Sequence, residues 1–483
     1  MLAFLLARCP TAWHAPASQD EEWYGVPGLT VAREGIPRVP YCRAREEGSV
    51  FNGAEQILFA QPPLSFYVQS PFFAVLPPGY GAARVSSLAA ACLAIVLVFA
   101  IGRHLTGDDR VALIAAGLFS FSRLLFFPAI SSRPDMLCGT LGLVAIWCTS
   151  RLAAKPLLSA VTSGIALGLA GLTHPFAIVF AAQVGVWHLI RSGTLTQRCL
   201  RCSLLIVAAA LTFMLWLPLI AMSSDLFREQ FVGNILRPAG PGLLTRFVMP
   251  AESFANQIPQ LFLRANPIQF ALLAIGIVTC GVFAISKRDR TASLLFLIAS
   301  TGVYLLVVCV GIHPIQGFWC YPAAFGWTCV AYATVRAFDT FKISGAMRVA
   351  MLAGLIAALI PGSGLRATWT YVANWNDTNY ASRIFVQDIL REIPEDVTLT
   401  VGREFALDAY GNGRDIILAC QHPMYFDSTK FPTQRIIVGR RDHEAQIIEG
   451  YQAAGFQLQR MKTFGDPQDS LACYAELWSI RLD

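Results

Sequence analysis

Charge is what this chain has little of. Of its 483 residues only 14% are Asp, Glu, Lys or Arg, against roughly 25% in a soluble protein. At the same time 55% are hydrophobic and the mean hydropathy is +0.52. That balance excludes an ordinary soluble globule and defines an integral membrane protein. The chain also lacks a cysteine framework. Its 13 cysteines are scattered, mostly inside apolar runs, where Cys behaves as a small buried hydrophobe. Cys199-x-x-Cys202 has no second cysteine pair beside it, which argues against zinc. There is no internal repeat and no low-complexity segment. The net charge of +6 is no nucleic-acid footprint, because the basic residues fall in short loops between apolar runs, the pattern that orients membrane proteins. The partners this composition implies are membrane lipids, with no nucleic acid.

What is present is a series of apolar runs. Met1–Trp13 is apolar but shorter than the ~20 residues that a hydrocarbon core needs. Two readings stand for it: a truncated first helix, or a signal peptide without its basic n-region. Residues 16–83 form a long first loop. Within it Tyr24–Glu34 is expected to be a short surface helix, and Leu64–Leu76, aromatic-rich between Pro62-Pro63 and Pro77-Pro78-Gly79, an interfacial one. Spanning candidates follow at Val85–Ile101, Val111–Phe127, Pro134–Thr149, Pro156–Leu172, Pro175–Ile190, Cys202–Met222, Pro267–Ile285, Ala292–Ile312, Phe318–Val335 and Met347–Pro361. One set of short loops carries Arg103 and Arg110; Arg151 and Lys155; Arg191, Arg198 and Arg201; Lys287, Arg288 and Arg290; Arg336, Lys342 and Arg348. The alternating loops, around 128–134, 173–175 and 312–317, carry only Arg133. The first set is expected to be cytoplasmic, which places residues 16–83, 223–266 and 362–483 outside.

The tail from about Asn374 is different material, with ordinary charge. Strands are expected at Val397–Val401, Ile416–Ala419, Arg435–Val438 and Ala475–Ile480, and a helix over His443–Ala454 ended by Gly455. The expected architecture is therefore an α-helical polytopic membrane protein of about 10–11 transmembrane helices, carrying a small C-terminal α/β domain. The division is a transmembrane domain over 1–365, with its first extracytoplasmic loop at 16–83, and an extracytoplasmic α/β domain over 366–483. Cys420 and Cys473 are the cysteines of the tail; outside the cytoplasm they could pair, and the sequence leaves both the paired and the free state open.

The outer face collects the polar chemistry. Asp20-Glu21-Glu22 is a run of three carboxylates, either a solvated helix N-terminus or part of a site. Asp135 follows Arg133-Pro134 at a helix start, either as a cap or as a functional acid. His174, in Thr173-His174-Pro175, and His313 sit in tight turns, where a local hydrogen bond competes with a ligand role. The 223–266 loop adds Arg228, Gln230, Asn234 and Arg237. Ionisable groups at membrane depth are costly and usually functional.

An ordered series of short motifs runs through this part of the chain. The acidic pair Asp20-Glu21 is followed by Trp23-Tyr24-Gly25, Ala32-Arg33-Glu34-Gly35, Pro62-Pro63-Leu64-x-x-Tyr67, Ala83-Arg84-Val85, Gly102-Arg103 with Gly107, and Arg133-Pro134-Asp135. The series resembles the GT-C superfamily of membrane glycosyltransferases, which includes protein O-mannosyltransferases and the aminoarabinose transferases of lipid A. The resemblance covers residues 1 to about 330. It implies a sugar donor on a polyprenyl phosphate and a hydroxyl-bearing lipid, glycan or protein acceptor on the outer side of the plasma (inner) membrane. It also implies Asp20 as the base, inversion at the anomeric carbon, and Glu21 and Asp135 as supporting carboxylates that orient the acceptor or hold a divalent cation; no cofactor is required by the sequence.

The chain departs from the lipid A branch at two positions. That branch has a basic residue two places after the acidic pair and a lysine before the later proline; here those places hold Trp23 and Gln61. Tyr24, Gln61, Arg133, His174 and Arg237 are the candidates left to meet the substrates, the last three as replacements for the missing phosphate-binding cations. A transporter or flippase of lipid-linked sugars and a non-catalytic scaffold are the competing classes. The first calls for ionisable residues or broken helices near the bilayer midplane, of which the sequence carries few.

Overall fold

The computed structural model describes residues 1–18, 20–43, 49–236, 242–311, 317–419, 433–440 and 444–481. Its first eleven α-helices are α1 Leu2–His14, α2 Glu21–Tyr24, α3 Val26–Glu34, α4 Leu64–Val75, α5 Tyr80–Thr106, α6 Asp109–Phe121, α7 Arg123–Ile130, α8 Asp135–Arg151, α9 Pro156–Gly171, α10 Ile178–Ile190 and α11 Leu195–Phe213. Each of the ten expected spanning runs falls on helix. Among the described residues four helices are long and apolar enough to cross a membrane unaided: Tyr80–Thr106, Leu195–Met222, Pro267–Ser286 and Arg290–Val310. Shorter apolar helices, including Pro156–Gly171, Pro175–Ile190 and Gly345–Leu359, pack among them. The chain is an integral membrane protein.

Small residues set the close helix contacts, as van der Waals packing in lipid requires. On α9, Gly164 and Gly168 lie one turn apart and face α11: a Cβ on either would come within 2.5 Å of a backbone oxygen, of Leu205 or of Ala209.

The run Val111–Phe127, expected as a spanning segment, is apolar helix with a break in it. The helix breaks at Ser122, and α6 and α7 meet at 61°. Ser122 is extended at φ −64°, ψ 147°. The amide of Arg123, released from the helical ladder, donates to Gln269 Oε1 at 3.0 Å. An amide shielded from water needs an acceptor, and a glutamine 146 positions away is invisible to a local reading.

Among the described residues the tail forms a five-stranded sheet from β1 Leu399–Val401, β2 Ile416–Leu418, β3 Arg435–Gly439, β4 Gln457–Gly465 and β5 Tyr474–Arg481. Its order is β2-β1-β3-β5-β4. β1 pairs in parallel with β2 and β3, while β5 is antiparallel to β3 and β4. The four expected strands are present, and a helix over Glu444–Ala453 ends ahead of Gly455. β4 was not expected: it is an exposed edge strand, so neither face carries the alternation that marks a half-buried strand. Cys420 lies outside the described residues, as do Arg237 and His313.

The first loop and the tail share one hydrophobic core. Trp23, Tyr24, Val26, Leu29, Tyr41, Phe66 and Phe73 pack in the same cluster as Phe385, Leu399, Phe405, Leu407 and Leu477. The seam is hydrogen-bonded. Tyr80 OH donates to Arg403 O at 2.6 Å, Tyr80 N donates to Asp408 Oδ1 at 3.1 Å, and Ala17 N donates to Glu404 O at 3.3 Å. The tail is thereby held directly behind the segment that carries Asp20.

Candidate functional site

Asp20 occupies the N-cap position of α2 with φ 65°, in the left-handed region that side chains with a short polar group tolerate best. Its side chain makes no cap hydrogen bond. It turns instead to Arg133, whose Nη1 donates to Asp20 Oδ2. Arg133 Nε donates to Asp135 Oδ2 at 2.8 Å, so one guanidinium bridges two carboxylates. The three differ in exposure: the side chain of Asp20 is 32% exposed, that of Arg133 8% and that of Asp135 0%. Only Asp20 of the two acids is open to a substrate. The third nitrogen of Arg133, Nη2, makes no hydrogen bond to the described residues.

Asp135 is no simple cap. The N-cap of α8 is Pro134, without a side-chain cap bond. Asp135 Oδ2 is spent on Arg133, and Oδ1 is buried without a partner. Gly317 presses against this carboxylate; a Cβ there would lie 2.3 Å from Oδ2. Aromatic rings enclose the guanidinium, with the centroids of Tyr24, Phe318 and Phe127 at 5.6, 5.7 and 5.9 Å from Arg133 Cζ. Such faces favour a desolvated cation.

Tyr24 and Gln61 meet: Gln61 Nε2 donates to the Tyr24 hydroxyl at 3.3 Å, and Gln61 Oε1 is buried without a partner. Burial, with the charge of Asp20 adding to it, raises the Tyr24 phenol above its usual value and keeps it protonated. His174 lies in the turn between α9 and α10. Its Nδ1 accepts from Phe176 N at 3.1 Å, which leaves Nε2 to carry the proton, and its ring packs 4.8 Å from that of Phe318. Burial pushes its pKa down to about 4, with Arg133 lowering it further against the opposing pull of Asp135. At neutral pH His174 is therefore a neutral N–H donor and no phosphate-binding cation.

Glu21 is differently placed. It is wholly buried and saturated. Oε1 accepts from Arg84 Nε at 2.8 Å and from Ser132 N at 2.7 Å; Oε2 accepts from Arg84 Nη2 at 2.6 Å and from Ser18 N and Oγ, each at 2.7 Å. Arg84 is in turn spread over the carbonyls of Ala12, Ala15 and Pro16. Burial alone would raise the Glu21 pKa, but the charge and hydrogen bonds of Arg84 and the bonds from Ser18 outweigh it and hold the value at about 2. Glu21 and Arg84 form a bidentate strut. It begins next to Asp20 in the chain and ends, through Ser132, next to Arg133.

Asp20, Glu21, Tyr24, Gln61, Arg133, Asp135 and His174 are thus brought together from four separate stretches of chain. Arg84, Ser18, Ser132, Gly317 and Phe318 complete the site and were not among the sequence candidates. Arg84 was visible in the motif Ala83-Arg84-Val85 as a charge opening an apolar helix; the others carry no local signal. Gln230 of the 223–266 loop plays a supporting part. Its Oε1 accepts from the amides of Phe59 and Ala60, at 2.7 and 3.2 Å, and its Nε2 donates to the carbonyls of Asn52 and Ile57, at 2.8 and 3.1 Å. Among the described residues no group of three or more His, Cys, Asp or Glu side chains is placed to hold a metal ion.

The arrangement of helices with a small sheet domain behind the first loop is a fold shared with known proteins. Residues 60–221 match the family model of dolichyl-phosphate-mannose-protein mannosyltransferases. The whole chain is similar in structure to ArnT from Cupriavidus metallidurans, both in the apo state and bound to undecaprenyl phosphate: TM-score 0.61 at 13% identity, over 99% of this chain and 96% of that one. It is also similar to the Archaeoglobus fulgidus oligosaccharyltransferase, with TM-score 0.51 at 13% identity, over 98% of this chain and 72% of that one. No curated protein matches it in sequence.

Proposed function

We propose that the chain transfers a sugar from a polyprenyl-phosphate-linked donor to the hydroxyl group of a lipid, glycan or protein acceptor at the extracytoplasmic membrane face, with inversion and with Asp20 as general base. The observation that carries this reading is the Asp20–Arg133–Asp135 bridge, in which the outermost carboxylate is accessible and the inner one fixes the guanidinium. A structural relative of the same fold, ArnT, has been captured with undecaprenyl phosphate, which supports a polyprenyl carrier here.

In the proposed reaction the acceptor oxygen attacks the anomeric carbon as the bond from that carbon to the phosphate oxygen breaks. The acceptor proton passes to the Asp20 carboxylate, and the leaving group departs as polyprenyl phosphate. A base within hydrogen-bond reach contributes ~10²–10⁴ in rate. The charge that grows on the phosphate needs fixed donors in a dry site. Arg133 Nη2 supplies one and the His174 N–H another. A donor phosphate at Arg133 competes with Asp20 for the guanidinium and so frees the carboxylate for the acceptor. Asp135, bound to Nε, keeps the guanidinium in place through that exchange. Glu21 positions both partners through Arg84 and Ser132. Tyr24 and Gln61 offer polar contacts to the sugar. The orientation follows the Lys and Arg asymmetry of the loops, and the 366–483 domain, seated behind Asp20, caps the outer side and offers a surface to the acceptor.

The test is direct. Purified protein given polyprenyl-phosphate sugars is expected to release polyprenyl phosphate. Asp20→Asn is expected to lose ~10²-fold or more of that activity while keeping the thermal stability of the parent. No release with any of a panel of hexose and pentose donors, or full activity in Asp20→Asn, would overturn the reading.

A further inference from the structure

A second concentration of polar side chains sits at the end of α10 away from Asp20, and the transfer reaction does not use it. α10 has 13 residues, about 20 Å at 1.5 Å per residue. It starts beside His174 and ends at Ile190. His188 is fully buried near that far end, and neither of its ring nitrogens has a hydrogen-bond partner. Arg191 and Arg201 are within electrostatic reach of it and of each other. Arg201 is buried, its Nη1 and Nη2 both donating to Ser192 O at 3.3 Å, and its Nε has no partner. Nη1 of the half-buried Arg191 is likewise buried and unpaired. Among the described residues no carboxylate pairs with these charges, and the sequence contains no Asp or Glu between Asp135 and Asp225.

Two guanidinium groups held close in a low-dielectric setting repel each other, and buried donors left without acceptors are costly. An anion bound among them relieves both penalties. The chemistry of that anion follows from what adjoins it. Beginning beside Arg201, an apolar crevice of about 740 Å³ climbs between α9, α10 and α11, walled by Cys202, Leu205, Ala209, Ala181, Gly185 and Phe213. The neighbouring Leu189 and Ile190 are about half exposed, as residues at a hydrocarbon boundary are. Basic pockets between membrane helices, next to apolar crevices, suit phosphate head groups.

We propose that this is a binding site for an anionic phospholipid of the leaflet opposite the transfer site, with its phosphate among Arg191, Arg201 and His188 and an acyl chain in the crevice. The head group carries net negative charge because the site offers two cations and, among the described residues, no acid. The proposal stands independently of the transfer reaction, since none of its residues belongs to the Asp20 site.

The test uses the full-length protein reconstituted in nanodiscs of phosphatidylcholine, with and without phosphatidylglycerol, then returned to detergent and examined by native mass spectrometry. Wild type is expected to retain phosphatidylglycerol in preference to phosphatidylcholine. Arg191→Gln is expected to lower the retained fraction by about tenfold, the worth of one charge-assisted hydrogen bond. Gly185→Leu tests the crevice without touching a charge: a Cβ there meets nothing within 4 Å, so the variant folds while its side chain occupies the chain's path, and it is expected to lose retention as well. Equal retention by wild type and both variants overturns the proposal. So does stabilisation by inorganic phosphate alone with no lipid retained, which would make this a free-anion site, and so does retention of polyprenyl phosphate to the exclusion of phosphatidylglycerol.

Discussion

Replacing Glu21 by Gln tests the strut beneath the site. The substitution keeps shape and removes charge, leaving Arg84 buried with a neutral partner. The magnitude follows from the carboxyl itself, whose pKa falls from an ordinary 4.5 to about 2; at ~1.4 kcal/mol per unit the ionised pair is worth about 3 kcal/mol. That agrees with the ~3–5 kcal/mol lost when one partner of a buried ion pair is removed. The three carbonyls that also receive Arg84 place the expected loss at the lower end. The assay is apparent Tm in detergent at a fixed scan rate, read by tryptophan fluorescence; Glu21→Gln is expected to melt several degrees below wild type. Activity should fall too, because Glu21 adjoins Asp20 in sequence and binds the amide preceding Arg133. The double variant Glu21→Leu with Arg84→Met should recover most of the stability, since a buried ion pair can be replaced by apolar packing at little cost, yet stay weak in transfer. An unchanged Tm and unchanged activity in Glu21→Gln would refute the reasoning. The pH dependence has a definite sign. A carboxyl with a depressed folded-state pKa contributes its full stability above the unfolded value and loses it as pH falls through the folded one. The strut's contribution should thus be complete above pH 4.5 and disappear between 4.5 and about 2, and Glu21→Gln should flatten that part of the profile.

Gly317→Ala is expected to disturb the site without touching a charge. Its Cβ would fall 2.3 Å from Asp135 Oδ2, so Asp135 must shift and release Arg133; the expected result is a higher KM for the donor, and wild-type kinetics would count against Asp135 as the holder of Arg133. Gln230→Ala removes the acceptor of two buried amides and the donor to two carbonyls of the first loop. A loss of about 1–3 kcal/mol is expected, seen as faster proteolysis between residues 43 and 60; an unchanged cleavage rate would show that other contacts hold the loop.

Much of the fold was legible because its cause is local. Runs of apolar residues punctuated by Pro, Gly and basic loops gave the helices, and four of the tail's five strands declared themselves by their apolar character. β4 did not, since an exposed edge strand needs no apolar face and is made a strand by pairing with β5. The break at Ser122 was hidden for a related reason: it depends on a distant glutamine that accepts one amide. At the site, Asp20, Tyr24, Gln61, Arg133, Asp135 and His174 stood out as polar groups in turns of a chain otherwise poor in them. Ser132 and Gly317 did not, because one acts through its backbone amide and the other through the absence of a side chain.

The sequence by itself determined that this is a membrane protein, where most of its apolar helices lie, and which loops carry the basic residues. Those are properties of composition and period, set by the cost of putting charge and unpaired backbone into hydrocarbon. Only the tertiary structure decided how the neighbouring acids Asp20 and Glu21 divide their roles. Adjacent in the chain, they point to different partners: one reaches Arg133 and remains open, the other is locked to Arg84 and closed. Tertiary structure also decided that burial lowers the His174 pKa and that the tail rests against the loop carrying Asp20. The physical reason is the same in each case. A side chain's charge state and accessibility are fixed by what surrounds it in space, and those neighbours come from stretches as far apart as Ala17 and Glu404.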